Sequence, residues 1–165
     1  MIGTGTVVGN FSLISSYALS GAVNVGNQAT LAVNPGKTMT TGTISVSSNA
    51  TLQVAQSGTF ALGGGLTLAD GAVLGFNFNQ KKVAPVLDLT DKTVTVNGEV
   101  KVKASSASGI YPSGESYTLT SGGKFTGASV AIAEGSADWV KGVSVDENGD
   151  IVLTIKPTGV YILVR

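Results

Sequence analysis

A chain of 165 residues with no His and no Cys lacks the commonest general base, the thiol nucleophile and the thiolate metal ligand. Carboxylates, lysines, hydroxyls and a few rings must supply any chemistry. Asp88 and Asp91 form the best acid pair beside an expected loop, and paired acids are what glycan cleavage uses. Three residues of separation at a strand end do not set the spacing that an acid and a base require, so neither catalysis nor a catalytic residue is expected. Asp146, Asn148 and Asp150 in DENGD alternate oxygen ligands as a calcium loop does. Here Gly149 falls fourth rather than sixth, and Lys156 stands near the place of the closing Glu, so the segment reads as a hairpin turn. Gly36, Lys37 and Thr38 end a phosphate loop in form, yet Leu31 occupies the position of its first Gly. Lys37 is then a solvated corner charge. Asn10 and Asn49 head the triplets NFS and NAT, which read as polar corners.

Binding leaves a different set. Lys81 and Lys82 fall in an interruption of an otherwise regular pattern, and Tyr111 and Tyr117 lie in the aromatic back third with Trp139 and Tyr161. These four, Lys81, Lys82, Tyr111 and Tyr117, are the candidate ligand-binding residues, although in a small cap such aromatic rings are more often core. No metal site and no cofactor is expected. The formal charge is +0, so no nucleic acid partner is expected. No run of 18 apolar residues occurs, so the chain is not expected to be embedded in a membrane. From Met1 to Ala69 the only charged side chain is Lys37. Thr, Ser, Asn, Gln and Gly must therefore cover the front half, as they cover a repetitive β surface.

The elements that would position these residues repeat. GNQATLAV at Gly26 is echoed by SSNATLQV at Ser47. Val25 recurs as Val46 and Leu68 at spacings of 21 and 22 residues, and Leu31 recurs as Leu52 and then Val73 or Leu74. Repetition on this scale marks a solenoid. Within each unit Val23, Val25, Leu31, Val33 and Met39, then Ile44, Val46, Leu52, Val54, Phe60 and Leu62, alternate with polar residues. Period two predicts strands with one buried face, three to a unit and each roughly five residues long. Three strands and three corners make one coil of a parallel β-helix, in which Thr30 should lie over Thr51 and Leu31 over Leu52.

The pattern is interrupted at Asn77 to Asp91, with a loop expected around Lys81 to Pro85, and resumes at Val94, Val96, Val100 and Val102 across an Asn97-Gly98 turn. Beyond about Ala104 the repeat is lost. SYTLT, ASVAIA, KGVSV, IVLTI and VYILV are candidate strands of a closing element, with Asp146 to Asp150 as a hairpin loop.

The stretch GTISVSSNATLQVAQSGTFALGGGLTLADGAVLGFNF and the later SGESYTLTSGGKFTG resemble the passenger region of bacterial autotransporters, in particular the autotransporter-associated β-strand repeat. The resemblance covers about residues 20 to 130. It implies a right-handed β-helix at the extracellular or outer-membrane surface of a Gram-negative-type bacterium, but no shared activity, because such shafts carry many functions. The translocating barrel that follows in that family is missing here, and the chain is expected to be part of a longer one. The expectation is thus an all-β protein: a short right-handed parallel β-helix of about 21 residues per coil over residues 1-103, with a C-terminal antiparallel β cap over 104-165. A non-enzymatic stalk or display scaffold fits best. An adhesin for a glycan or host surface protein comes next, and a polysaccharide-degrading enzyme trails. The expected partners are that glycan or host protein and neighbouring coils of a longer parent chain.

Overall fold

Branched aliphatics at every second position favour extended backbone and bury one face of it. In the computed structural model, which describes residues 4–157, the result is nineteen strands and no helix among the described residues. The first three are β1 (Gly5–Val7), β2 (Asn10–Leu13) and β3 (Tyr17–Ala18). Two further groups of three follow: β4 (Val23–Val25), β5 (Thr30–Val33) and β6 (Thr38–Thr41), then β7 (Ile44–Val46), β8 (Thr51–Ala55) and β9 (Thr59–Leu62). Next come β10 (Leu66–Leu68), β11 (Val73–Phe78) and the short β12 (Leu87–Asp88), and after them β13 (Val94–Val96) and β14 (Glu99–Ser106). The last five are β15 (Ser116–Thr118), β16 (Thr120–Ser121), β17 (Ser129–Ile132), β18 (Val140–Val145) and β19 (Ile151–Ile155).

Their pairing follows the repeat. β1, β4, β7, β10 and β13 lie side by side in one parallel sheet, and β2, β5, β8, β11, β14 and β17 in another. A third parallel sheet holds β3, β6 and β9. Through β9 the chain thus visits three parallel sheets in rotation, an arrangement compatible with a β-solenoid. The echoed triplets pair directly: Thr30 lies opposite Thr51 and Leu31 opposite Leu52. Leu74, rather than Val73, continues the inward row, and Val102 and Ile132 follow it. Val33, Val54, Phe76 and Ala104 form a second row, and Val23, Ile44, Leu66 and Val94 a third. Residues from all three sheets belong to one buried cluster, with Leu31, Ile44, Leu68 and Leu74 fully enclosed.

Corners recur as strictly as strands. Between the first and second sheets the chain turns at Gly9, Gln28, Asn49, Gly71 and Gly98, all with positive φ, from 58° at Asn49 to 97° at Gly98. Gly98 could be nothing else. A Cβ there would fall 2.3 Å from Asp70 Oδ1, the atom that accepts the Glu99 N–H at 2.8 Å. The Asn97-Gly98 turn therefore carries the chain from one parallel sheet to the next.

Past Phe78, residues 79–86 form the expected loop. The back third departs from expectation in one respect: parallel pairing does not stop at Ala104. β14 runs through to Ser106, ASVAIA supplies β17 as a further parallel strand beside it, and β12 pairs in parallel with β16. Among the described residues only β15, β19 and β18 are antiparallel, and Asp146 to Asp150 is the turn of the β18–β19 hairpin, as read from sequence. The last candidate strand, VYILV, and Tyr161 within it lie outside the described residues.

The inward rows carry the stability. Leu52→Ala should destabilise by about 2–5 kcal/mol, because the gap opens between Leu31 and Leu74 in a packed row. Thr51→Ala, on the outward face of the same strand, should cost less than about 1 kcal/mol. Chemical denaturation of the two variants checks the contrast; equal losses would contradict it.

Candidate functional site

The loop at 79–86 is tied to the segment before β15. The Lys81 carbonyl accepts the Ser113 N–H at 2.8 Å, the Ser113 hydroxyl at 3.2 Å and the Tyr117 hydroxyl at 2.7 Å. Tyr117 Oη also lies 2.5 Å from the Ser113 carbonyl. A phenol carries one proton, so it serves the two carbonyls in turn. The Tyr117 ring meets Phe78 edge-on at 5.4 Å, and Trp139 meets the same Phe78 ring at 5.3 Å. Tyr117 is thus a clasp whose hydroxyl is already engaged and whose ring belongs to the core margin.

The other candidates stand apart from that clasp. The Lys81 and Lys82 side chains are exposed on the loop. Tyr111 is 62% exposed and lines an open hollow of about 340 Å³ together with Ser108, Asp138 and the largely buried Trp139. The structure therefore brings Lys81 and Tyr117 together through a backbone carbonyl, whereas Tyr111 faces a separate hollow and Lys82 shares neither. Of the four, Tyr111 has the geometry of a ring free to stack on a ligand.

The carboxylates of the DENGD segment are occupied by the fold, whereas Asp91, the companion of Asp88 in sequence, is exposed at a positive-φ turn. Asp146 Oδ1 accepts the N–H groups of Asn148 and Asp150 at 3.0 and 2.9 Å, which is how a short polar hairpin loop satisfies itself. Asp150 Oδ1 in turn accepts Gly123 N–H at 2.9 Å. Among the described residues no group of three or more acidic residues is placed to hold a metal ion. Gly36 and Lys37 form a corner leading into β6, which Thr38 begins, so no helix N-terminus stands behind them as a phosphate loop requires. Asn49 sits at a positive-φ corner, whereas Asn10 opens strand β2 opposite Thr30 rather than forming a corner.

Sequence reasoning passed over two polar residues that shape these corners. Asp70 caps the start of β14 through Glu99 N–H, and Ser121 donates to Asp88 Oδ1 at 2.7 Å across the β12–β16 pair. An acid placed one residue before a positive-φ glycine, as in Asp70-Gly71, was the available signal for the first. The second had none, because its partners lie 33 residues apart.

Compared with known proteins, the chain matches no family model, no curated protein and no solved structure. No described helix is long and apolar enough to cross a membrane.

Hydrogen bonding makes Asp88 more acidic than usual. The Ser121 hydroxyl is the main cause, followed by the Thr90 N–H and hydroxyl, with Lys92 adding a weaker attraction. A carboxylate whose folded pKa is depressed contributes stability above its unfolded value of about 3.9, and the contribution is lost as pH falls through the folded value. Ser121→Ala should raise the Asp88 midpoint, followed by carboxyl-carbon NMR, towards the ordinary aspartate value. The stability difference between the two proteins should narrow below pH 4 or so. An unmoved midpoint would refute this assignment.

Proposed function

We propose that the chain winds as a short right-handed parallel β-helix of about 21 residues per coil, closed at its C-terminal end by an antiparallel β cap, and serves as a non-enzymatic stalk or display scaffold. In this reading it is a passenger-type shaft related to the autotransporter-associated β-strand repeat, at the extracellular or outer-membrane surface of a Gram-negative-type bacterium. The in-register parallel pairing of the repeats is the observation that supports it. Leu31, Leu52, Leu74 and Val102 occupy one row, so a rung holds its place only between rungs, and the assembly is stiff along the stacking direction. Front-half surfaces with one charged side chain before Asp70 suit a shaft that avoids unspecific contacts. The working parts are the rungs themselves. No cofactor enters the reading, and neither nucleic acid nor insertion into a bilayer does.

A second reading rests on one observation. Tyr111 exposes 62% of its surface beside a hollow, and a glycan or host protein could stack there with Lys81 and Lys82 at the neighbouring loop. A polysaccharide-degrading role would have to use Asp88, whose carboxylate is engaged by Ser121 and Thr90.

Limited trypsin digestion combined with a glycan array separates these. For a shaft, the first cut should fall after Lys81 or Lys82, the nicked halves should stay together, and no glycan should be retained. A reproducible glycan signal that Tyr111→Ala abolishes would replace the stalk with the adhesin.

A further inference from the structure

Glycine directly follows asparagine at two places in the chain, Asn97-Gly98 and Asn148-Gly149. Such a pair is chemically labile, because the glycine nitrogen can approach the asparagine side-chain carbon with no Cβ in the way. Sequence makes the two pairs equivalent, but the fold separates them. Asn148 and Gly149 belong to the β18–β19 turn, where the Asn148 N–H donates to Asp146 Oδ1 at 3.0 Å and the Gly149 N–H to the Asp146 carbonyl at 3.1 Å. Gly149 is also buried, and its carbonyl accepts the Phe125 N–H at 2.8 Å. A Cβ there would run into Thr126 and Gly123, so the backbone has little room to turn. Asn97 and Gly98, by contrast, are both exposed at the corner between β13 and β14. The corner is anchored on either side, by the Asn97 N–H on the Leu68 carbonyl at 2.9 Å and the Glu99 N–H on Asp70 Oδ1 at 2.8 Å. Between those anchors, neither the Asn97 side chain nor the Gly98 N–H has a hydrogen-bond partner among the described residues. Asp70-Gly71, a pair open to related chemistry, is held as the hairpin is: the Gly71 N–H donates to the Glu99 carbonyl at 2.8 Å while Asp70 Oδ1 is engaged by Glu99.

We propose that Asn97 is a site of spontaneous covalent modification, deamidating in the folded protein while Asn148 is protected. The Gly98 nitrogen attacks the side-chain carbonyl carbon of Asn97, the bond from that carbon to the side-chain nitrogen breaks, and ammonia leaves with the proton given up by the Gly98 N–H. Water then opens the cyclic imide at either of its carbonyls, which gives aspartate or isoaspartate. Both products add a negative charge at a corner that already holds Asp70 and Glu99. Isoaspartate also lengthens the main chain by a methylene where Asn97 and Gly98 alone carry it from β13 to β14. Strands β13 and β14 are each in register with the preceding repeat, β13 with β10 and β14 with β11, and a longer path between them strains that register. Charge at this corner therefore rises with the age of the protein.

Incubation of the folded 165-residue chain in mildly alkaline buffer should produce an acidic species on anion exchange. Trypsin isolates Asn97 in the peptide from Thr93 to Lys101, and mass spectrometry should find it converted from amide to acid, with isoaspartate among the products. The peptide that holds Asn148 should convert at least about tenfold more slowly, the factor expected when one or two ordinary hydrogen bonds must first open. In concentrated urea the two should convert at comparable rates, which assigns the contrast to the fold. Asn97→Gln, a change at an exposed residue, should abolish the acidic species. Equal rates in the folded chain, faster conversion at Asn148, an acidic species that persists in Asn97→Gln, or an Asn97 that stays intact while the denatured chain converts would overturn the proposal. These outcomes concern the chemistry of one corner and are independent of the display role.

Discussion

Backbone hydrogen bonding between successive repeats is the constraint on which the structure depends. The amide of Thr51 donates to Ala29 at 2.8 Å, that of Val73 to Ala50 at 2.8 Å and that of Lys101 to Ala72 at 2.9 Å. Each repeat thus finds its partners in its neighbours, and a slip of one residue would turn every inward leucine outward. Register and burial enforce each other. The alternation along a strand decides which face is buried, and the pairing between strands lines those faces into rows such as Leu31, Leu52 and Leu74.

Such stacking passes demands on to the corners. A chain that must leave one sheet and enter the next within two or three residues needs backbone in the left-handed region, and it finds this at Gln28, Asn49, Gly71 and Gly98 in turn. Side chains then bridge the repeats at the same place. Asn27 donates to the Ser48 carbonyl at 2.9 Å, and Asp70 accepts from Glu99. The polar, weakly charged surface of the front half follows from this repetition, because like residues stacked in a column repel one another when they are charged and support one another when they are amides or hydroxyls.

Much of this could be read from residue order. The paired ATL triplets, the loop after Phe78 and the Asp146 to Asp150 turn all carry local signatures: identical spacing, broken alternation, and turn residues between two alternating runs. The continuation past Ala104 could not. The steps from Leu74 to Val102 and from Val102 to Ile132 are 28 and 30 residues, lengthened by loops, and the aliphatic signature of β17 is reduced to Val130 and Ile132. A repeat is visible only while its spacing holds, whereas backbone pairing tolerates any length of loop between strands. The same limit applies to the candidate ligand residues. Sequence placed Lys81, Lys82, Tyr111 and Tyr117 near one another in type, but only the folded chain distinguishes a tyrosine whose hydroxyl binds two carbonyls from one that faces solvent.

The most direct measurement of the parallel ladder is scalar coupling across its hydrogen bonds in a nitrogen-15 and carbon-13 labelled sample. Couplings should link the Thr51 nitrogen to the Ala29 carbonyl carbon, Val73 to Ala50, and Lys101 to Ala72. Couplings that instead join residues 29–31 and 50–52 to different sheets, or pair them antiparallel, would contradict the stacked arrangement and every functional conclusion drawn from it.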